Sequence, residues 1–81
     1  MTARHRIYFD ANSRDGDCFD LSVKGSLDDI KPIAADLRAG MRVTLYQPGE
    51  LEVEAILEFD HERRTWIGRA VKGTWSDKVE N

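Results

Sequence analysis

The stretch LEVEAILEF, Leu51 to Phe59, decides the fold class. Leu51, Val53, Ala55, Leu57 and Phe59 alternate with Glu52, Glu54, Ile56 and Glu58. A period of two with one apolar face is the pattern of a half-buried β-strand, with its core on one side and solvent on the other.

Two neighbouring segments extend the pattern. Met41 to Gln47 (MRVTLYQ) reads as a strand joined to this one by a turn at Pro48-Gly49, and TWIGRAVKG, residues 65–73, reads as a third. A loop at Asp60 to Arg63 sets Leu57 opposite Trp66, Val53 opposite Ala70 and Glu54 opposite Arg69. Cross-strand pairs of this kind contribute about 0.2–1 kcal/mol each. A loop one residue shorter opposes Ala55 to Arg69 and buries a guanidinium without a partner, which is costly.

The N-terminal half adds two shorter strands and a helix. His5 to Phe9 is an apolar run, Cys18 to Val23 alternates, and the Asp15-Gly16 pair between them predicts a hairpin. In Ser26 to Gly40, Leu27, Ile30, Ala34 and Leu37 recur at helical spacing. With Asp28 or Asp29 as N-cap, Pro32 falls in the first turn, and the helix runs from about Ile30 to Arg38 with Gly40 closing it. The expected order is ββαβββ: a mostly β, α+β chain forming a small SH3-like five-stranded barrel or a strongly bent antiparallel sheet with one short helix. Residues 1–75 form the single domain, and 76–81 (SDKVEN) a polar, frayed tail.

Composition narrows the function. The chain has 81 residues, enough for one modest core, and a net charge of −3. An acidic balance without a basic stripe opposes nucleic-acid binding, which draws much of its affinity from phosphate neutralisation. Cys18 is the only cysteine, which excludes an internal disulfide and a cysteine-rich zinc site. The N-terminus turns charged too soon for a signal peptide, and no apolar run approaches the roughly 18 residues of a membrane span. A cytoplasmic protein is expected.

The constellations that carry chemistry fare poorly. FDANSRDGDCFD, residues 9–20, is rich in aspartate, but an EF-hand register starting at Asp10 puts Arg14 in a ligand position. Shifting Gly16 to the turn position loses the first and last ligands, so the stretch reads as a solvated loop. His5 and His61 lack zinc-site spacing, no serine sits in a nucleophile elbow, and Glu52, Glu54 and Glu58 share the solvent face. No catalytic group, metal or cofactor is expected.

Asp20-Leu21-Ser22-Val23-Lys24-Gly25 has the form D-x-S-x-x-G. It resembles one half of the motif of PilZ domains, six-stranded barrels that bind cyclic di-GMP. The resemblance implies that Asp20 and Ser22 hold a guanine base beside Gly25. The family's other half, R-x-x-x-R, is absent, since the upstream arginines are Arg4 and Arg6 at a different spacing.

The remaining features suit a protein partner. In the preferred register Ile56 and Ile67 lie opposite each other on the outer face; with Tyr8 and Tyr46 as neighbours and Arg69 in the contact set they form a patch for a partner or a second copy, or else they pack into a second small core where the barrel bends. The acidic strand and the following Arg63, Arg64, Arg69 and Lys72 pair internally or face a partner. Trp75 either plugs the barrel end or anchors an interface. The expectation is a non-enzymatic interaction module, with a PilZ-like ligand-binding domain as the alternative.

Overall fold

The computed structural model describes residues 5–12, 14–49 and 51–77, so Arg4, Ser13, Glu50 and residues 78–81 of the expected tail lie outside the described residues. The chain is mostly β with one short α-helix. Strands are β1 (Arg6–Tyr8), β2 (Arg14–Asp15), β3 (Cys18–Asp20), β4 (Arg42–Gln47), β5 (Leu51–Asp60), β6 (Thr65–Ala70) and β7 (Ser76–Asp77). Helix α1 (Lys24–Ile30) runs into a 3₁₀ turn, Lys31–Asp36.

β5 is the spine, as its alternation requires. β4 pairs antiparallel along one edge, from Arg42↔Ile56 to Gln47↔Leu51. β6 covers the other edge from Asp60↔Thr65 to Ala55↔Ala70, and β7 resumes on that edge at Leu51 and Glu52. Ser76 and Asp77, expected to be frayed, are thus part of the sheet.

The β5–β6 register differs by two residues from the expected one, because Asp60 belongs to the strand and the loop is His61–Arg64. Asp60 Oδ1 accepts the N–H groups of Glu62 and Arg63 at 3.0 and 3.1 Å, and Arg64 takes a left-handed φ of 56°. A shift of two preserves which residues face the core, so the inner and outer sets stand. The opposed pairs change: Leu57 faces Gly68, Ala55 faces Ala70, Phe59 faces Trp66 and Ile56 faces Arg69. Packing explains the choice. Gly68 falls where Leu45 fills the space over the strand, so that a Cβ there would lie 2.9 Å from Leu45 Cδ1, while Trp66 meets Phe59 edge-on at 5.2 Å.

The expected hairpin between the first two strands is not formed. β1 pairs parallel with β4, and β3 pairs antiparallel with β6, which gives the order β1-β4-β5-β6-β3-β2. The turn at Gly16, with φ 66°, instead joins β3 to the two-residue β2. The sheet is therefore mixed and is not closed by hydrogen bonds, and the SH3-like barrel does not appear. It is bent enough for its ends to meet through side chains: Phe9, just past β1, and Phe19, in β3, contact edge-on at 4.9 Å. Both are buried with Ile7, Leu21, Val43, Leu45, Val53, Ala55 and Leu57. Burial of such larger apolar side chains stabilises the fold by about 1.5–3 kcal/mol each.

The helix also departs from expectation, starting at Lys24 rather than near Ile30. Pro32 cannot continue an α-helix that begins so early, because its ring meets the carbonyl four residues back. The chain tightens instead into the 3₁₀ turn, with Pro32 in its first two positions. Of the four expected apolar positions, Ile30 and Leu37 are buried, while Leu27 and Ala34 are exposed.

Candidate functional site

The outer face of β4, β5 and β6 carries the side chains that alternation directs away from the core. Helix α1 packs against β1 and the 3₁₀ turn. Down β5 runs Glu52, Glu54, Ile56 and Glu58, and each carboxylate meets an arginine, two from the adjacent β4 and β6 and one reaching across β4 from β1. Arg6 Nη2 reaches Glu52 Oε2 at 2.7 Å, Arg42 Nε reaches Glu54 Oε1 at 2.6 Å, and Arg69 Nε reaches Glu58 Oε2 at 2.8 Å. Arg69 also donates through Nη2 to Glu58 Oε1 at 3.1 Å, a forked contact. The Arg69 hydrogen bonds hold the Glu58 carboxyl below its ordinary value, and the same contact raises Arg69.

The acidic strand is paired internally, but only in part by the expected cations: Arg69 meets Glu58 and Arg63 lies 3.7 Å from Asp60, while Glu52 and Glu54 are met by Arg6 and Arg42. Sequence reasoning opposed Arg69 to Glu54. Ile56 and Ile67 are both half-buried on this face, and instead of facing each other they oppose Arg69 and Glu58. That leaves them diagonal neighbours, with side chains still on one surface.

At the β1 end, Tyr46 joins several groups. The Arg6 guanidinium lies 4.6 Å from the centre of its ring, and its hydroxyl donates to Asp29 Oδ2 at 2.7 Å. That hydrogen bond is the main cause of a raised Tyr46 pKa, with burial second. Asp29 Oδ2 also accepts the Tyr8 N–H at 2.9 Å, and the Ser26 hydroxyl donates to the Tyr8 carbonyl. In the parallel ladder Ile7 and Phe9 point their backbone toward β4, so the Tyr8 amide and carbonyl face outward. Two side chains of α1 take the place of a further strand and cover this sheet edge. Asp29, expected as an N-cap candidate, and Ser26, expected ahead of the helix, instead lie within α1 three residues apart and serve a strand edge that the letters do not reveal.

The D-x-S-x-x-G segment crosses from one end of the sheet to the other. Asp20 closes β3, where its Oδ1 accepts the Ser22 N–H at 2.8 Å and its Oδ2 lies 3.6 Å from Arg63. Ser22 is exposed. Gly25 lies in α1 against the Tyr8 ring, so closely that a Cβ there would sit 2.6 Å from Tyr8 Cδ1. The segment's far end is thus brought beside β1, while Asp20 stays on β3. Arg6 is engaged with Glu52 and Tyr46 rather than with Asp20.

The histidines do not assemble a centre. His5 Nε2 is 3.9 Å from an Asp36 oxygen, and exposed His61 rests edge-on against Phe59 at 5.1 Å. Among the described residues no cluster of His, Cys, Asp and Glu could hold a metal ion, and no helix is long and apolar enough to cross a membrane. The chain matches no family model, no curated protein and no solved structure.

Proposed function

We propose that this protein is a non-enzymatic interaction module that binds a protein partner through the outer face of β4, β5 and β6. The observation that carries the reading is the half-buried Ile56 and Ile67 set among ion-paired arginines and glutamates. An apolar centre with a polar rim is the anatomy of a docking surface, and tyrosine and arginine are favoured there. Charges already neutralised by a neighbour also lose less on desolvation than isolated ones. Arg69 borders the centre opposite Ile56, and Tyr46 lies farther along the same face opposite Glu52, so the contact set is Tyr46, Ile56, Ile67 and Arg69. The module acts in the cytoplasm, without a nucleic acid or membrane as partner.

Cyclic-dinucleotide binding at Arg4, Arg6, Asp20, Ser22 and Gly25 has weaker support. Such a ligand would have to draw Arg6 away from Glu52 and Tyr46. Gly25 is also explained by its contact with Tyr8, without any ligand.

The test replaces Ile67 with the photocrosslinking residue p-benzoylphenylalanine in the source cell, with Ala34 on the 3₁₀ turn as the control position. One discrete adduct from position 67 and none from position 34 supports the reading; an adduct with a second copy makes the partner a homodimer. Equal labelling from both positions, or none from 67, overturns it. Saturable amide shifts from Asp20 to Gly25 on titration with cyclic di-GMP would replace it with the ligand reading.

A further inference from the structure

A second candidate site lies on the other side of the molecule's chemistry, where the β3–β6 ladder ends. The last bond there is the Ala70 N–H to the Asp17 carbonyl at 2.9 Å. Beyond it the chain swings away through a turn that Thr74 fixes, its hydroxyl donating to the Val71 carbonyl at 2.7 Å and its oxygen accepting the Glu54 N–H at 3.0 Å. Gly73 makes the bend with φ 83°. The parting backbones leave a cleft of about 440 Å³ lined by Asp17, Phe19, Ala70, Lys72, Gly73 and Trp75. That volume lies within the ordinary range of small-ligand pockets, about 300–1,000 Å³.

The cleft has a rigid aromatic wall. Trp75 meets Phe19 edge-on at 5.8 Å and Phe9 at 6.2 Å, and both phenylalanines are buried in the core. Trp75 itself remains 45% exposed. Neither its indole N–H nor the exposed Lys72 ammonium has a partner among the described residues. The other charged group at the cleft, Asp17, has interactions of its own. Among the described residues Lys72 has no ion-pair partner.

We propose that this cleft binds a planar aromatic carboxylate, with its ring against Trp75, which Phe19 backs from the core, and its carboxylate on Lys72. Stacking on the exposed indole supplies the contact area, and the ammonium selects for an anion. A cationic ligand over the Trp75 ring would meet the like charge of Lys72.

The experiment is a ¹⁵N–¹H titration of the full chain with 2-naphthoate, and with the uncharged 2-naphthamide of nearly the same shape. The two tryptophans give two indole signals, assigned with Trp66→Phe. The Trp75 signal is expected to shift saturably with naphthoate while Trp66 and the amides of Ile56 and Ile67 stay still. The amide should bind about fivefold more weakly, the factor expected of one exposed charge pair, and Lys72→Met should bring naphthoate to the same level. Equal affinity for both compounds, indifference to Lys72→Met, or no Trp75 shift at millimolar naphthoate would overturn the assignment.

Discussion

Tyr46 and Tyr8 share one acceptor: Asp29 Oδ2 takes the Tyr46 hydroxyl at 2.7 Å and the Tyr8 amide at 2.9 Å. One carboxylate on α1 therefore ties the helix to two strands and satisfies an edge amide that has no strand partner. Removing it should cost more than an average surface carboxylate. Asp29→Ala leaves a part-buried amide and a hydroxyl without their acceptor, and a loss of about 2–3 kcal/mol is expected from urea denaturation. Asp29→Asn keeps an oxygen acceptor and should lose about 1 kcal/mol. A loss below about 0.5 kcal/mol in the alanine variant would show that the contact does not anchor the helix.

The same contact has a pH signature. Tyr46 has a folded-state pKa raised above its ordinary 10.0, so its contribution is fully present below that value and is lost as pH rises through the folded pKa. Tyr46→Phe should be less stable than the parent at neutral pH, and the gap should narrow above about pH 10. Thermal melts at neutral and alkaline pH check the sign. A gap that widened with pH would contradict it.

The alternation from Leu51 to Phe59 was sufficient for the sheet's spine, and it placed Val53, Ala55 and Leu57 in the core. The turns at Gly16 and Gly49 were legible too, since both glycines take positive φ. What the letters concealed was non-local. Nothing in His5 to Phe9 says that it pairs parallel with Arg42 to Gln47, because a parallel partner is reached through a long crossover rather than a turn. The β5–β6 register failed for a subtler reason, the choice between loop residues 60–63 and 61–64, which depended on Asp60 accepting two amides. The outer-face residues were identified correctly as a set, while their mutual pairing inherited the register error. The cleft was hidden because it exists only where two strands part.

Gly25 offers a test whose outcome differs in sign from helix propensity. Gly→Ala inside a helix ordinarily gains about 1 kcal/mol. Here the new methyl group would lie 2.6 Å from Tyr8 Cδ1 and 2.9 Å from Cγ, near the root of the ring, where the side chain has little room to swing. Gly25→Ala should therefore destabilise the chain by about 1–3 kcal/mol, in the range of overpacking. With Tyr8→Ala in the background the same change should become stabilising. A gain in the parent background would mean that the helix stands farther from β1 than the structure places it.

The β5–β6 register can be read out in solution through Arg69, whose forked contact is with Glu58 in the structure and would fall on Glu54 if the strands slid by two residues. A double-mutant cycle with Arg69→Ala and Glu58→Ala at pH 7 should give a small favourable coupling above experimental error, as an exposed forked pair does. The cycle of Arg69→Ala with Glu54→Ala should give none, since Glu54 pairs with Arg42. Because Arg69 depresses the Glu58 pKa, the coupling is present above the ordinary carboxylate range and disappears as pH falls through the folded value. Repeating the cycle near pH 2 should abolish it, and coupling that survived protonation would point to packing of the arginine stem rather than to charge.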